Sequence, residues 1–426
     1  MATFTSHSLA QSLAAAGAVI GHVLEGTTLN AALASQPQCE TSLRAATYDL
    51  ACNALREYGF VDVVLGRLLT NPVKDAALRG LMLAALVELG SRPQHVHATV
   101  HQAVEAAVLL GQTRAKGLVN AVLREFQRQE ANLRKDIEAS EVGRYRHPQW
   151  WIDLLRSAHP RDWERVLAQD QVHPPMTLRV NLRRQTQERY LRILEKAGIP
   201  AKPLGPCGVR LTVPRRVDAL PGFAEGEISV QDFGAQLAAP LLDVRDGMRV
   251  LDACAAPGGK CAHLLEMADC DLLALDVSPE RLSRVEANHA RLGLKARTLA
   301  ADALAIGTLW PGMQFERILL DTPCTASGVV RRHPDIRWLR RQSDVAPFAS
   351  TQSRLLEALW PSLAPDGKLL YATCSVFPQE NDIRVRAFLE RHPDADRLEP
   401  AGAMLGQILP DEDTDGFFYA LIKKRS

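Results

Sequence analysis

Two cysteines follow strand-like apolar runs in the second half of the chain, where each thiol is placed to act as a nucleophile. Cys324 comes just after the run 317–321, and Cys374 follows the run 368–373. Ligands of a doubly wound parallel sheet bind at the carboxyl ends of its strands, so both sulfurs are expected at that edge. A thiolate can add to an unsaturated carbon and leave again once a second group has removed a proton. Residue spacing alone does not decide which sulfur adds.

The other cysteines are expected to be packing residues, because free cysteine is most often a small buried hydrophobe. No pair of cysteines has the C-x-x-C spacing of a zinc site, and His97 and His101, one helical turn apart, have no third ligand nearby. The sequence therefore predicts no metal site. The cysteines concerned are Cys39, Cys52, Cys207, Cys261 and Cys270, together with Cys254 in the loop described next.

A glycine-rich loop follows the apolar run 249–254 and precedes a helical pattern at 260–267. Gly258 and Gly259 allow a tight turn and a close approach to a ligand, and the N–H groups at a helix start favour an anionic group. The loop matches neither a Walker A motif nor G-x-G-x-x-G, so a ligand site and a plain tight turn both stay open. Its residues are Cys254, Ala255, Ala256, Pro257, Gly258, Gly259 and Lys260.

Two acidic residues at the ends of the next strand-like runs favour the ligand site. Asp276 ends the run 272–276, about twenty residues past the loop, where a carboxylate suits the hydroxyl pair of a ribose. Asp302 follows the run 298–301 and can accept a hydrogen bond from an adenine amino group, although a solvated loop acid would look the same. Together with the loop, these residues predict an adenosine-type ligand across the carboxyl edge of the sheet.

The pattern of apolar residues, prolines and strand-like alternation changes twice along the chain, which predicts a multidomain protein with three parts. Residues 1–140 have apolar residues at helical spacing and predict an all-α helical bundle. Residues 144–238 are punctuated by prolines, alternate like short strands at 176–181 and 209–213, and predict a small α/β middle module. Residues 239–426 predict a Rossmann-like fold with a doubly wound, mostly parallel sheet, in which 416–422 is an antiparallel edge strand.

Composition narrows the class of protein. Of the 426 residues, 46% are hydrophobic and 23% charged, which is typical of a globular chain. No apolar run reaches the roughly eighteen residues of a membrane span, and the start of the chain lacks the basic residues of a signal peptide. Few and scattered cysteines favour free thiols in a reducing cytoplasm. A net charge of only +1 gives no general support for a nucleic-acid partner, so local clusters must supply it.

Four motifs together resemble those of the RNA 5-methylcytosine methyltransferases of the Sun/Fmu type. They are A-A-P-G-G-K at 255–260, D-T-P-C at 321–324, R-R-H-P-D-I-R-W at 331–338 and A-T-C-S at 372–375. The resemblance covers essentially the whole chain, since G-L-V-N-A-V-L-R at 117–124 is similar to a helix of NusB-like RNA-binding domains, and 176–181 and 220–232 resemble the family's middle module. One departure is Thr322, where the family commonly has alanine.

The resemblance implies S-adenosylmethionine as the cofactor and a cytosine of small-subunit ribosomal RNA as the substrate. It implies that Cys374 adds to carbon 6 of the cytosine, which makes carbon 5 able to accept a methyl group, and that Cys324 assists the release. Asp321 would stabilise the charge shift at the ring nitrogens, given a raised pKa. The residues 254–260 with Asp276, Asp302 and Asp321 would contact the cofactor or the edge of the target. The protein is expected to be a cytoplasmic monomer that needs neither a membrane nor a metal.

Arginines cluster beside an aromatic residue just past the Pro-Cys loop, which fits an RNA surface. Arginine pairs with phosphate, and an aromatic ring can stack on a displaced base. A charge run is usually a solvated face, but the position beside the expected catalytic loop favours the functional interpretation. The predicted RNA-binding residues are Arg331, Arg332, Arg337 and Trp338, with Arg179 in a second cluster.

Two other classes of protein have some of these features. A nicotinamide-dependent dehydrogenase would also have a doubly wound sheet, but G-x-G-x-x-G and a hydride-relay residue are not evident. A non-enzymatic RNA-binding factor would need only the helical front domain, and it would leave the two strand-end cysteines without a purpose.

Overall fold

A computed structural model describes residues 8–36 and 41–426, which form two compact units. The first unit comprises the chain up to Gln171 together with the segment Val330–Gln342, and the second comprises Val172–Val329 together with Ser343–Ser426. Cys39, which the sequence suggests is a packing residue, lies outside the described residues. No helix within those residues is long and apolar enough to span a bilayer.

The first unit is helical, as predicted. Polar side chains cap several of its helices: Ser8 accepts a hydrogen bond from the backbone N–H of Gln11, and Asp75 accepts one from that of Leu78. The apolar faces of the helices meet in one core. The helices are α1 (Leu9–Leu24), α2 (Leu29–Ala34), α3 (Thr41–Arg56), α4 (Tyr58–Leu68), α5 (Ala76–Ser91), α6 (Val96–Leu109), α7 (Lys116–Ile137), α8 (Glu141–Tyr145), α9 (Gln149–Ala158) and α10 (Trp163–Gln169).

The second unit begins with a small antiparallel sheet of strand order β2-β3-β1-β4. The predicted strands at 176–181 and 209–213 correspond to β1 and β3. Alternate side chains of the sheet and one helix enclose a separate core that includes Leu178, Tyr190 and Val209. The elements are β1 (Thr177–Val180), α11 (Gln187–Lys196), β2 (Ala201–Leu204), β3 (Gly208–Leu211) and β4 (Ile228–Val230).

A large sheet of order β10-β12-β9-β8-β5-β6-β7 follows, with β11 paired to β12. The strands from β9 to β7 run parallel, and β12 is antiparallel to β9. The strands are β5 (Arg249–Asp252), β6 (Asp271–Asp276), β7 (Arg297–Ala300), β8 (Phe315–Asp321), β9 (Leu363–Thr373), β10 (Ala395–Leu398), β11 (Gly406–Ile408) and β12 (Phe417–Lys424).

Helices cover both faces of this sheet, which explains the continuous apolar runs of its strands. Within β8, Leu319 faces the core cluster that contains Leu264, whereas Ile318 and Leu320 face the cluster that contains Leu356. The helices are α12 (Phe233–Gln236), α13 (Ala238–Leu242), α14 (Gly259–Met267), α15 (Pro279–Leu292), α16 (Ile306–Leu309), α17 (Ile336–Leu339), α18 (Val345–Leu359) and α19 (Asp382–Arg391); α17 lies in the segment assigned to the first unit.

The position of the C-terminal strand differs from the prediction. β12 is antiparallel as expected, but it is not at the edge, because the short strands β10 and β11 pair with its outer side. Which segment pairs with an outer strand is decided by packing between segments that are distant in sequence. The predicted start of the middle module at residue 144 stays a prediction; residues 149–169, which contain α9 and α10, have most of their contacts with the first unit.

Candidate active site

The two strand-end cysteines lie in contact. The strands β8 and β9 are adjacent and parallel, with Asp321 opposite Ala372, so the residues that follow them emerge at the same edge of the sheet. The sulfur atoms of Cys324 and Cys374 are 3.4 Å apart. Cys324 is buried, whereas Cys374 is the more exposed of the two. The prediction that both thiols lie at the same edge of the sheet is therefore confirmed.

Backbone hydrogen bonds hold the loops of the two cysteines together. The N–H of Gly328 donates to the carbonyl oxygen of Cys374 at 2.8 Å, and the N–H of Gly416 donates to the carbonyl oxygen of Gly328 at 2.7 Å. A Cβ atom at Gly328 would lie 2.3 Å from the carbonyl oxygen of Gly416. Only glycine therefore allows this approach of the Pro-Cys loop to Gly416, the residue before β12.

The two thiols differ in electrostatic environment. The hydrogen bond with Cys374, burial, and the negative charges of Cys374 and Glu380 raise the pKa of Cys324 well above the usual range of a thiol. Cys324 consequently stays protonated at neutral pH. Either sulfur can donate the hydrogen bond between them.

Lys260 reaches from the glycine-rich loop into the same site. Its ammonium donates to Asp321 with an Nζ–Oδ2 distance of 2.5 Å. Burial alone would lower the pKa of Lys260, but the charge and hydrogen bond of Asp321 and the negative charge of Cys374 raise it. A cation near a sulfur stabilises its thiolate. The sequence pattern places Lys260 only in the cofactor loop, because its ion pair with Asp321 depends on the tertiary structure.

The glycine-rich loop is fastened to the end of β6. Gly258 has φ +98°, the left-handed conformation that glycine adopts without strain, and α14 begins directly after it. The carboxylate of Asp276 accepts hydrogen bonds from the N–H groups of Ala256 at 3.2 Å and Ser278 at 3.0 Å. Asp276 therefore already shapes the loop, and its predicted contact with a ribose stays a prediction.

Four acids at the carboxyl ends of strands form what we call the acidic edge of the sheet: Asp252, Asp276, Asp302 and Asp321. The exposed carboxylate of Asp302 accepts a hydrogen bond from the N–H of Leu304 at 2.9 Å and so begins the short helix after β7. Asp252, at the end of β5, is buried, and neither of its side-chain oxygens has a hydrogen-bond partner among the described residues. Burial, followed by the charge of Asp321, raises the pKa of Asp252 to about 8. Asp252 is not among the residues predicted from the sequence, although an acid near the end of the apolar run 249–254 was an available signal.

These residues fit a ligand that carries positive charge. Asp252, Asp276 and Asp321 lie at the ends of three neighbouring parallel strands. A cation beside the buried carboxyl group of Asp252 would stabilise its ionised form and so lower its raised pKa. The ammonium and sulfonium groups of S-adenosylmethionine are cations of the kind that such an edge attracts. The glycine-rich backbone beside them leaves room for close approach. The donor set is therefore compatible with this cofactor.

The prediction that Arg179 binds RNA is wrong, because its side chain has a structural role in the interior. Its side chain is fully buried and forms two hydrogen bonds with the carboxylate of Glu266, Nε to Oε2 at 2.9 Å and Nη2 to Oε1 at 2.8 Å. Its Nη1 also donates to the carbonyl oxygen of Gly259 at 2.8 Å and to Gln231. The arginine thus joins β1 to the start of α14 and has no surface to offer to phosphate.

Three predicted RNA-binding residues after the Pro-Cys loop are also structural, namely Arg331, Arg337 and Trp338. Arg331 and Arg337 are buried, and Arg337 donates to the carbonyl oxygens of Arg146 and Asp170 within the first unit. Trp338 packs edge to face on Tyr58 and donates from its indole nitrogen to a backbone carbonyl at 2.7 Å, so its ring belongs to the helical core. The half-buried Arg332 stays a predicted RNA contact.

The remaining described cysteines agree with the packing interpretation. Cys52, Cys207 and Cys261 are buried, and Cys254 and Cys270 are partly buried. Burial raises the pKa of Cys207 and Cys270 to about 11 in each case. Among the described residues no group of three or more histidines, cysteines or acids is arranged to hold a metal ion.

Comparison with known families divides the chain into three matched regions. Residues 239–423 match the family described as 16S rRNA methyltransferase RsmB/F. Residues 147–218 match the ferredoxin-like domain of RsmF/B-like methyltransferases, and residues 9–128 match the NusB family. The helical front and the C-terminal sheet are therefore each similar to a described domain.

Curated relatives are similar over nearly the full length. The chain is 42% identical to ribosomal RNA small subunit methyltransferase B of Vibrio cholerae, covering 95% of this chain and 94% of that protein. It is 43% identical to the protein of the same description from Salmonella typhi, covering 89% and 91%.

Solved structures show the same fold. The crystal structure of PH0851 is 24% identical, with a TM-score of 0.82, and the alignment covers 98% of this chain and 100% of that one. A methyltransferase homologue from Pyrococcus horikoshii is 29% identical, with a TM-score of 0.58, over 66% of this chain and 97% of that one. Taken with the full-length similarity to the curated relatives, this chain belongs to the RsmB/F family of 16S ribosomal RNA methyltransferases.

Proposed function

We propose that this protein transfers a methyl group from S-adenosylmethionine to carbon 5 of a cytosine in small-subunit ribosomal RNA, with Cys374 as the attacking nucleophile. The observation that carries the proposal is the contact of the Cys324 and Cys374 sulfurs, 3.4 Å apart, at the carboxyl edge of the sheet. A reaction at the nitrogen or oxygen of a base needs no sulfur nucleophile. A pair of thiols suits a reaction in which one sulfur bonds to the substrate and must later be released.

Carbon 5 of cytosine is a weak nucleophile, and addition of a thiolate to carbon 6 makes it electron-rich. Cys374 forms the carbon–sulfur bond, and the electron pair of the 5,6 double bond becomes available at carbon 5. Bound S-adenosylmethionine supplies an electrophilic methyl group on a sulfonium sulfur. The carbon-5 proton must then leave, and its electron pair re-forms the double bond as the bond to Cys374 breaks.

Cys374 is the better candidate for the nucleophile for two reasons. It is the more exposed sulfur of the pair, and the Lys260 ammonium is near enough for the charge of Cys374 to contribute to the raised pKa of that lysine. The buried, protonated thiol of Cys324 lies within hydrogen-bonding distance of its neighbour and can donate to it. A nearby ammonium and a neighbouring thiol donor both stabilise a thiolate.

Cys324 is suited to remove the carbon-5 proton at the later stage. The hydrogen bond with Cys374 is the largest cause of its raised pKa, and the negative charge of Cys374 adds to it. Once the Cys374 sulfur is bonded to carbon 6, its charge is lost, so Cys324 gives up its own proton to solvent more easily. The resulting thiolate accepts the proton from carbon 5.

Asp321 and Lys260 are proposed to act on the ring nitrogens. Lys260 already donates to Asp321, so the pair places a carboxylate and a proton-bearing ammonium side by side. A carboxylate accepts from an amino group, and an ammonium stabilises negative charge that develops in the ring during addition. The glycine-rich loop with Asp276, Asp302 and Asp252 would hold the cofactor.

The test uses two cysteine variants with labelled RNA. Cys374→Ala is expected to bind RNA and cofactor but not to transfer methyl, because the bond-forming sulfur is gone. Cys324→Ala is expected to complete addition and methyl transfer and then stall as a covalent adduct, seen as a denaturant-resistant protein–RNA band. Cys270→Ala, a partly buried cysteine outside the site, serves as the control and should turn over normally.

The double variant and the reverse result sharpen the assignment. Residues that act as a unit have non-additive effects, so the double variant should be no slower than Cys374→Ala and should form no adduct. An adduct in Cys374→Ala with none in Cys324→Ala would exchange the two roles. Normal methylation by Cys374→Ala would contradict the covalent mechanism altogether.

A further inference from the structure

Glu380 is a fully buried acid that lies behind the two thiols and is not part of the proposed reaction. It follows the segment after β9, just before α19. Its Oε1 accepts hydrogen bonds from the backbone N–H of Thr325 at 2.8 Å and from the side chain of Gln352 at 3.2 Å. Its Oε2 accepts from the hydroxyls of Thr325 at 2.5 Å and Ser375 at 2.6 Å.

These partners are the sequence neighbours of the two cysteines. Thr325 follows Cys324, and Ser375 follows Cys374. On the other side of Cys324, the amide of Gln352 donates to the carbonyl oxygen of Pro323 at 3.0 Å while it also donates to Glu380. One carboxylate is therefore bonded, directly or through one side chain, to both flanks of Cys324 and to one flank of Cys374.

Asn381 completes the attachment on the remaining side. The hydroxyl of Thr373, just before Cys374, donates to its side-chain oxygen at 2.6 Å, and its side-chain nitrogen donates to the carbonyl oxygen of Ser375 at 2.8 Å. Residues 380 and 381 thus contact the chain after Cys324 and on both sides of Cys374, and Gln352 links Glu380 to the chain before Cys324.

We propose that Glu380 is the positioning residue of the two-thiol site: its carboxylate joins the loop after β8 to the segment after β9 and so keeps the sulfurs of Cys324 and Cys374 in contact. This role rests on the proposed function for its catalytic consequence, but the spacing of the two sulfurs can be measured without any reaction.

The arrangement requires a carboxylate rather than an amide. An ionised carboxylate only accepts, and its two oxygens can receive about four hydrogen bonds, which is the number of donors that face Glu380. Glutamine has the same shape but replaces one oxygen with a donor. That donor would face the hydroxyls of Thr325 and Ser375, which donate to Glu380. These hydroxyls would have to rotate and would lose their hydrogen bonds to residue 380.

The experiment compares Glu380→Gln with the wild-type protein by two readouts. The first is the rate at which diamide links Cys324 to Cys374, followed by mass-spectrometric mapping; diamide takes up two electrons and two protons from the thiols and becomes the hydrazine. We expect Glu380→Gln to form the disulfide about tenfold more slowly, because sulfurs that move apart meet less often. The second is methyl transfer, where we expect kcat to fall about 100-fold, the cost of roughly 1 Å of misplacement, with cofactor affinity unchanged.

Glu357→Gln is the matched control, since Glu357 lies on α18 and forms an exposed ion pair with Arg391. It should change neither rate. If Glu380→Gln does not fold, Thr325→Val removes one donor with little change of shape and takes its place. A disulfide rate that stays at the wild-type value or rises would overturn the proposal, whatever happens to kcat. If Glu380→Gln forms the disulfide more slowly but the wild-type protein methylates no cytosine, the positioning role is supported and only the proposed function is contradicted.

Discussion

Replacing Arg179 with methionine should destabilise the second unit strongly, because the change leaves Glu266 buried without its partner. The side chain of Arg179 is 0% exposed and that of Glu266 is 3% exposed, so water cannot replace the lost bonds. Breaking one side of a buried ion pair costs about 3–5 kcal/mol. For a unit of this size, that corresponds to a fall in Tm of roughly 6–20 °C.

A second substitution tests the physical cause. In Arg179→Met with Glu266→Leu, no charge stays buried, so part of the stability should return. The two substitutions are expected to show a coupling energy of roughly 1–3 kcal/mol, as measured by a double-mutant cycle in chemical denaturation. Recovery should be incomplete, because the carbonyl oxygen of Gly259 still lacks the donor that Arg179 provides.

The assay also separates the structural role from RNA binding. Thermal denaturation is followed by circular dichroism, and RNA affinity is measured over a range of salt concentrations. Arg216→Met is the control, since Arg216 forms an exposed ion pair with Asp218 and should not change Tm measurably. If Arg179→Met kept the wild-type Tm and instead made RNA binding weaker and less dependent on salt, Arg179 would be a phosphate contact and the structural argument would be refuted.

Two further predictions concern the acidic edge. Asp276→Ala should weaken the binding of S-adenosylmethionine by about 1–3 kcal/mol in calorimetry, the scale of lost charge-assisted hydrogen bonds; unchanged affinity would remove Asp276 from the cofactor site. The folded-state pKa of Asp252 lies near 8, above its usual 3.8, so folding opposes the ionisation of Asp252 between these two pH values. Asp252→Asn removes this cost. The variant should therefore be increasingly more stable than the wild type, without cofactor, as pH rises from near 4 to about 8. A difference in Tm between variant and wild type that does not change with pH would contradict this.

Local sequence patterns were enough to predict the elements that carry the site. The apolar runs that end at Asp276 and Asp321 are the strands β6 and β8, and the run before Cys374 is the end of β9. Such runs are long enough to indicate buried parallel strands, and parallel strands place their carboxyl ends at one edge. That rule placed both sulfurs at one edge; their contact at 3.4 Å depends on the adjacency of β8 and β9 in the sheet.

The arginines show where such reasoning failed. A sequence shows that Arg179, Arg331 and Arg337 are charged, and charge is usually found at the surface. Burial of an arginine requires acceptors that come from distant segments, such as Glu266 for Arg179 and the carbonyl oxygens of Arg146 and Asp170 for Arg337. No local pattern records those partners.

The sequence by itself determined the helical front, the alternation of strands and helices, the glycine-rich loop and the two strand-end thiols, because each depends on residues that are close along the chain. The tertiary structure alone decided that Lys260 reaches Asp321, that Asp252 is buried with a raised pKa, and that Glu380 receives donors from around both cysteines. These properties arise from residues that are far apart in sequence, and burial strengthens their interactions because water no longer screens or replaces them.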